Sequence, residues 1–415
     1  MNSVPSKSTL TRRALLGALG IAGLAGAGLL WTQRPSRWRE SIIIHLLPQD
    51  APAGFLPGLH WIAQSYLETL APATVIRIPH PDWPFPTSQR AFQLQFRPSR
   101  QGDFLCLSFR WRRGGEAWHD VPGIPAPPAE AMTTFLNALP ETFGSEPHGR
   151  LLPRSLDLSW ELLNLPTIWT RLSSSPDFRP RLDRLIAQAP ECALGWCLLG
   201  CAAYQEVVTK PDWIPEDRAL AEHALNRALS LVPGLPFAAG DLSQMMSDFG
   251  KNGPAMEILA KAIRIHAHSG LLLKRIAYCA RNAGLLDVAK AAALKHDRQT
   301  GHEGGVENTF LYIGDFKHFE AWILTAVQSR DAWSPPLRFY MGYSAMVQGN
   351  KNEALRRLRE AGDNWSQARF GRMGFALMTL LEGRMEESLE ALESLVQQHL
   401  ALRAPDGEFI LKLAE

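Results

Sequence analysis

With 415 residues, a hydrophobic fraction of 46% and a charged fraction of 20%, the chain has the composition of a folded protein, which argues against a disordered one. Its length predicts two or three domains, or one domain joined to a repeat array. The formal net charge of +2 and the lack of a lysine-rich run argue against a nucleic-acid partner.

The N-terminus has the pattern of an export signal or a membrane anchor. A polar segment with Lys7, Arg12 and Arg13 is followed by eighteen residues without a charge, 14–31. A basic segment before such a core is typical of a signal, and eighteen apolar residues are just enough to span a bilayer. We therefore expect a signal or anchor segment over residues 1–35, with membrane contact through residues 14–31.

The motif around Arg12 and Arg13 resembles a twin-arginine signal, with the small-x-small sequence Ala25-Gly26-Ala27 as a cleavage site. The resemblance implies a bacterial inner-membrane anchor with the body in the periplasm, or a soluble periplasmic protein if the chain is cleaved after Ala27. Arginines also follow the apolar core, so charge alone leaves the orientation open. The residues do not distinguish Sec from twin-arginine export.

Residues 38–120 change to a mixed pattern of strands and one amphipathic helix. A β-branched run, a helical stripe, a short strand and two alternating strands around a Gly-containing turn predict the order β-α-β-β-β, and hence a small α+β domain. The predicted elements are a strand at 41–47, a helix at 59–70 and strands at 75–78, 91–96 and 104–111.

This order resembles the TolB-like domain in the periplasmic half of CadC-type membrane regulators. The matching stretches are IIIHLLPQD, the helix that ends at Leu70, VIRI, FQLQFRPSRQGDFLCLSF and GGEAWH. The resemblance implies an envelope location and a role in sensing. The winged-helix DNA-binding domain of those regulators has no counterpart in the thirteen residues before Ala14.

No catalytic motif stands out along the chain. His60 lies at the edge of an apolar helix face and is expected to be structural, while His119 and Asp120 beside a turn are expected at the surface. No phosphate loop, nucleophile elbow or HExxH occurs, so we predict a protein that is not an enzyme and has no cofactor or metal. Cys197 and Cys201 share one helical face, which leaves a metal or redox site open beside the favoured interpretation as buried apolar residues.

Residues 121–175 are predicted to be a Pro-rich linker with capping helices. Four prolines between 122 and 128 favour extended backbone. Helices are predicted at 129–139 and at 156–163, the second ended by Pro166. We expect them to cover the apolar first end of the helical array that follows.

Residues 176–415 repeat with a period near 34. Gly250 and Gly284 are 284 − 250 = 34 apart, and Gly349 and Gly383 are 383 − 349 = 34 apart. A period of this length indicates helical hairpins, and the chain resembles the tetratricopeptide repeat family at its alternating large and small positions. In the first repeat the matching residues are Trp196, Leu199, Gly200, Ala203, Ala221, Leu225, Ala228 and Pro233.

The resemblance implies a mostly α-helical protein, an α-solenoid after the small α+β domain. Each hairpin buries its apolar face only against its neighbours, so several are needed for stability. Glycine near each hairpin turn is expected to end the first helix in a left-handed conformation. The phase slips at 300–335, where a change of curvature and a functional surface are expected.

Stacked hairpins of this family form a concave groove that holds peptides or helices of other proteins. Lys274, Tyr278 and Arg281, together with Phe339 and Tyr343, are predicted to line it, although packing against a neighbouring helix is an open alternative. Trp213, in an insertion of the first repeat, is a further candidate.

We therefore predict a protein-binding scaffold of the bacterial envelope. A membrane-anchored sensor related to CadC-type regulators is the alternative, and an enzyme with an unrecognised site is third. The oligomeric state stays open.

Overall fold

The computed structural model describes residues 41–46, 55–70, 75–77, 91–113, 116–143, 150–171, 177–209, 215–300, 306–328, 335–363 and 369–402. They form two compact units. The first comprises the described residues up to Ala202 and from Leu220 to Thr300, and the second comprises Ala203–Ala219 and the described residues after Thr300. The predicted anchor at 14–31, with Arg12 and Arg13, lies outside the described residues.

The first unit contains a five-stranded sheet with the order β2-β1-β3-β4-β5. Strand β1 is parallel to both of its neighbours, and β3, β4 and β5 form an antiparallel meander. The predicted β-α-β-β-β order is observed, with a short fifth strand added. The strands are Ser41–Leu46 (β1), Val75–Arg77 (β2), Ala91–Gln101 (β3), Phe104–Arg113 (β4) and His119–Val121 (β5).

Three helices belong to this part of the chain: Phe55–Leu70 (α1), Pro128–Phe143 (α2) and Leu156–Arg171 (α3). The rings of Phe96, Phe109 and Phe135 form an edge-to-face cluster between the sheet and α2, with centroids 5.1 to 6.4 Å apart. Helix α2 therefore packs on the sheet and not, as predicted, on the end of the array, because its buried apolar stripe fits the inner sheet face.

Helix α3 continues through Pro166, where the sequence predicted its end. A proline removes only its own N–H group from the helical ladder, so it bends or weakens a helix without necessarily stopping it. Leu162, Leu163 and Leu165 are all fully buried, and this packing holds the helix together up to the proline.

Helix α1 joins the sheet part of the unit to the repeats. Trp61 packs edge-to-face on Phe237, with ring centroids 5.9 Å apart. The buried Glu68 carboxylate accepts a hydrogen bond from the Ser269 hydroxyl at 2.9 Å, and the backbone oxygen of Glu68 lies 3.0 Å from Nδ1 of His266. Helix α1 therefore attaches the sheet to the repeats through both an aromatic contact and buried hydrogen bonds.

After a first helix, Phe178–Gln188 (α4), the chain forms helical hairpins, as the period predicted. In each hairpin the first helix is called the A helix and the second the B helix. The A helices are Ala193–Thr209 (α5), Pro236–Asp248 (α7), Gly270–Asn282 (α9), Glu307–Tyr312 (α11), Pro335–Val347 (α13) and Arg369–Leu381 (α15); the B helices are Pro215–Leu231 (α6), Asn252–Ile265 (α8), Leu286–Thr300 (α10), Phe316–Gln328 (α12), Lys351–Asp363 (α14) and Met385–Leu402 (α16).

The periodic glycines end the A helices. At Gly250 φ is 74°, its N–H donates to the oxygen of Ser247 at 2.9 Å, and the next N–H, of Lys251, donates to the oxygen of Met246 at 2.8 Å. These two bonds define a Schellman cap, which needs a left-handed residue and so favours glycine. The same φ sign and bond pair occur at Gly284, Gly314, Gly349 and Gly383.

Small residues let the two helices of a hairpin approach closely. A Cβ atom added at Gly200 would lie 2.4 Å from Cγ of Leu225, and one added at Gly342 would lie 2.7 Å from Cγ of Leu358. These glycines occupy the same position in two repeats, and each faces a leucine of the B helix. The sequence pattern therefore reports a real packing constraint.

The predicted slip in phase is also present. Gly284 and Gly314 are 314 − 284 = 30 residues apart, four fewer than the regular period. Its cause is the A helix α11, which has only six residues, whereas the A helices α13 and α15 of the same unit have thirteen.

Candidate functional site

The candidate site lies on the A helices of the first unit. Successive A helices place equivalent residues 34 positions apart, so Asp241 of α7 corresponds to Arg275 of α9, since 275 − 241 = 34. Gln244 and Tyr278 correspond in the same way. Polar residues at these positions form contacts between neighbouring A helices, called the A-helix ladder below.

The first contact of the ladder is ionic. The Arg275 guanidinium donates to Oδ1 of Asp241 at 2.5 Å and also to Oε1 of Gln244. The side chains of Arg275 and Asp241 are 21% and 15% exposed, so the pair lies at the edge of the core. The second oxygen of Asp241 accepts a hydrogen bond from the thiol of Cys201 on α5 at 2.8 Å, which extends the ladder to a third A helix.

The second contact joins Tyr278 to Asp248. The tyrosine hydroxyl donates to Oδ1 of Asp248 at 2.6 Å, and the guanidinium of Arg281 lies 5.0 Å from the centre of the tyrosine ring. Burial, and then the carboxylate of Asp248, raise the pKa of Tyr278 well above its ordinary value. The hydroxyl therefore stays protonated and acts as a fixed hydrogen-bond donor.

The third contact is uncharged. The amide of Asn282 donates to the hydroxyl of Ser247 at 3.2 Å, and that hydroxyl donates to Asn252 at 2.8 Å. The amide of Asn252 in turn donates to the backbone oxygen of Asn282 at 3.2 Å. These bonds fix the end of the ladder beside the capped turn at Gly250.

The ladder offers recognition chemistry and no visible catalytic chemistry. It presents a guanidinium, an ion pair and a phenol held in place by neighbours. A guanidinium N–H can donate to a polypeptide, whereas the phenol oxygen, whose hydrogen is already donated to Asp248, can accept. In the described part of the chain, no nucleophile, base and orienting group come together as a catalytic site requires. There, too, no three His, Cys, Asp or Glu side chains are grouped to hold a metal ion.

The cysteines on α5 fit the interpretation as buried residues. The sulfur atoms of Cys197 and Cys201 are 4.0 Å apart, both side chains are buried, and both thiols are free. The hydrogen bond with Cys197, together with burial and the carboxylate of Asp241, raises the pKa of the Cys201 thiol well above its ordinary value. A thiol that stays protonated is a poor nucleophile and a poor metal ligand.

The structure brings together two of the predicted groove residues, Tyr278 and Arg281. Lys274 lies half-buried on the same helix, and its charge adds to the effect of burial in lowering the pKa of His296 to about 4. Tyr343 is half-buried against the core of the second unit. Trp213 lies outside the described residues.

Phe339 does not line a surface. It is 0% exposed and belongs to the core cluster that contains Leu358, Met373 and Leu377. The prediction placed it at the groove because its position within the A helix is equivalent to that of Lys274. An apolar ring at this position is covered by the next hairpin, whereas a lysine keeps its ammonium in water.

His119 and Asp120 are exposed, as predicted, and lie on strand β5. The His119 ring stacks on Trp111, with centroids 4.3 Å apart, so it makes an aromatic contact at the sheet edge. The side chain of His60 lies outside the described residues.

Sequence reasoning missed Asp241, Gln244 and Arg275. The signal was present, because opposite charges at equivalent positions of consecutive A helices face each other when hairpins stack. A comparison of residues 34 apart for complementary charge would have found the pair.

None of the helices in the described ranges combines the length and hydrophobicity needed to cross a bilayer. The predicted membrane segment at 14–31 is outside those ranges.

No family model matches the chain, and no curated protein matches it. Solved structures that match include a monomeric mutant of IFIT1 with Gppp-AAAA, at 14% identity and a TM-score of 0.36, over 65% of this chain and 56% of that one. The human IFIT1 dimer with m7Gppp-AAAA matches at 13% identity and a TM-score of 0.36, with the same coverages. The chain thus spans little more than half the length of these two structures, and likeness at this level establishes neither a shared fold nor a shared ligand.

Proposed function

We propose that this chain is a non-catalytic scaffold that binds another protein, or a peptide segment of one, through the A-helix ladder of its first unit. The observation that carries the proposal is the ladder itself. Arg275 is held by Asp241, and Tyr278 is held by Asp248 and lies against Arg281. A partner therefore meets groups that are already ordered. Ordering side chains before binding reduces the entropy lost on association.

Site-specific photo-crosslinking tests the proposal. A photoreactive residue replaces Arg281 on the A helix α9 in one variant and Lys261, an exposed residue of the B helix α8, in the other. We expect one defined protein to be crosslinked from position 281 and not from position 261. Equal crosslinking from both positions, or from neither, would contradict binding at the A-helix face.

We further propose that the scaffold belongs to the bacterial envelope, held by residues 14–31 or released after Ala27. The basic segment and the uncharged core of the N-terminus support this location. Cell fractionation with N-terminal sequencing of the mature chain tests it. A membrane-bound intact chain indicates an anchor, a periplasmic chain that begins at residue 28 indicates cleavage, and recovery in the cytosol refutes the envelope location.

A sensor is the second candidate, and the contact of Glu68 with Ser269 and His266 favours it. This contact ties helix α1 of the sheet part to the helix that carries Tyr278 and Arg281. These buried groups give a ligand on one side a route by which to bias the other. A pull-down from crosslinked membranes distinguishes the two candidate functions. A sensor should co-purify with a transcriptional regulator, and a scaffold should co-purify with assembly or secretion proteins.

A further inference from the structure

A second surface of the first unit carries an unusual set of charges. On the face of the sheet opposite the phenylalanine cluster, alternate residues of β3 and β4 include Arg97, Arg110 and Arg112. The guanidinium groups of Arg110 and Arg112 lie against the ring of Trp118. Arg97 is exposed, and the other three side chains are half-buried. These four residues are called the arginine face.

Neutral groups hold the guanidinium groups in place. Nε of Arg110 donates to Oε1 of Gln95 at 2.5 Å, and Nε of Arg112 donates to Oε1 of Gln93 at 2.7 Å. The guanidinium carbons of Arg110 and Arg112 lie 4.4 and 4.6 Å from the centre of the Trp118 ring. An amide oxygen and an aromatic ring orient a guanidinium without cancelling its charge.

Among the described residues, the positive charge of this face is compensated only in part, by Asp120. Within the described ranges, no carboxylate forms an ion pair with Arg97, Arg110 or Arg112. Asp120, opposite Arg110 on β5, is the nearby negative group. Burial, and then repulsion from Arg97, lower the pKa of Arg110 despite Asp120. Like charges at neighbouring sheet positions destabilise a fold, so stability alone does not account for this cluster.

The spacing of the arginines suits an extended chain. Arg110 and Arg112 are alternate residues of one strand, about 6.6 Å apart. Arg97 pairs with Ser108 and is thus the diagonal neighbour of Arg110, about 7–8 Å away. Carboxylates at alternate positions of an extended peptide have the same spacing. Because their Nε atoms are already bonded to glutamines, Arg110 and Arg112 keep their terminal Nη groups for a ligand.

We propose that the arginine face binds an acidic segment of a partner protein, extended, with carboxylates at alternate positions. This contact is separate from the A-helix ladder and gives the scaffold a second docking point. A nucleic acid fits less well, since three arginines opposed by Asp120 supply few of the phosphate contacts on which such binding depends. The full chain has a net charge of only +2.

Fluorescence anisotropy with the full-length protein tests the proposal. The probe is a labelled peptide of alternating glutamate and threonine, compared with an alternating serine and threonine peptide. In the variant Arg110→Gln with Arg112→Gln, we expect binding of the acidic peptide to weaken tenfold or more. The control, Arg179→Gln with Arg184→Gln, removes the same charge from helix α4 and should change affinity less than twofold.

Arg97→Gln is a variant that should not disturb folding, because this side chain is exposed and makes no side-chain hydrogen bond or ion pair to the described residues. It should weaken binding about threefold. Equal affinity in the wild type and in both arginine-face variants, or no binding of the acidic peptide by the wild type, overturns the proposal. Tighter binding of a single-stranded oligonucleotide than of the peptide also overturns it, in favour of nucleic acid. Arg281→Glu should leave the affinity for the acidic peptide unchanged. The proposal for the arginine face and the proposal for the A-helix ladder can therefore be refuted independently.

Discussion

Replacing Gly342 by alanine tests how closely the hairpins pack. The added Cβ would lie 2.7 and 2.8 Å from two side-chain carbons of Leu358 and 3.2 Å from its backbone nitrogen, so the B helix must shift. Overpacking costs about 1–3 kcal/mol, and alanine gains about 0.5–1 kcal/mol of helix propensity. The middle of both ranges gives a net loss of stability of roughly 1 kcal/mol. Gly253→Ala is the matched control, since its Cβ meets nothing within 4 Å.

Urea unfolding followed by circular dichroism measures both changes. Gly342→Ala should unfold at lower urea than the wild type, and Gly253→Ala at equal or higher urea. In a double-mutant cycle, Leu358→Ala removes the two clashing carbons, so Gly342→Ala should cost little in that background. Two results would contradict close packing of Gly342 against Leu358. One is a Gly342→Ala variant as stable as the wild type, and the other is an equal loss of stability with and without Leu358.

Three further predictions concern the first unit. Asp241→Ala removes the carboxylate that Arg275 binds at the edge of the core, and it should cost roughly 1–3 kcal/mol by urea unfolding. Asp183→Ala, in an ion pair that is 36% and 54% exposed, should cost less than about 0.5 kcal/mol. Ser269→Ala removes the N-cap of α9 and a hydrogen-bond donor to the buried carboxylate of Glu68. We expect the free energy of unfolding to fall by about 1–2 kcal/mol, and a fall below about 0.5 kcal/mol would contradict the contact. Burial, more than a nearby lysine, lowers the pKa of His296 from 6.5 to about 4, so the unfolded chain binds more protons and stability falls as the pH drops from about 6.5 towards 4. Between pH 7.5 and 5 this group should cost about 2 kcal/mol, and His296→Gln should reduce that pH dependence.

Local patterns predicted much of this fold. The glycine spacing identified the hairpin turns because only a left-handed residue forms the Schellman cap, and that requirement is local to the backbone at Gly250 and its equivalents. The β-α-β-β-β order of elements along the chain followed from alternation and turn residues, which are also local signals. The helix through Pro166 was missed because tertiary packing outweighed one lost hydrogen bond.

The candidate site was only partly predictable. Tyr278 and Arg281 were found from their register in the A helix, since register fixes the helical face on which a side chain lies. Register does not say whether the next hairpin covers that face, and Phe339 is fully buried for this reason. The arginine face was missed because Gln93 and Gln95 are unremarkable in sequence, and their role appears only once β3 and β4 are paired.

The most direct test of the scaffold measures the affinity of the crosslinked partner, once purified, for two charge-reversal variants. Arg281→Glu changes the A-helix ladder, and Lys261→Glu makes the same change of charge on the B helix of the preceding hairpin. We expect Arg281→Glu to raise the dissociation constant tenfold or more, which corresponds to about 1.4 kcal/mol, and Lys261→Glu to change it less than twofold. Equal effects of the two variants, or no effect of either, would contradict binding through the A-helix face.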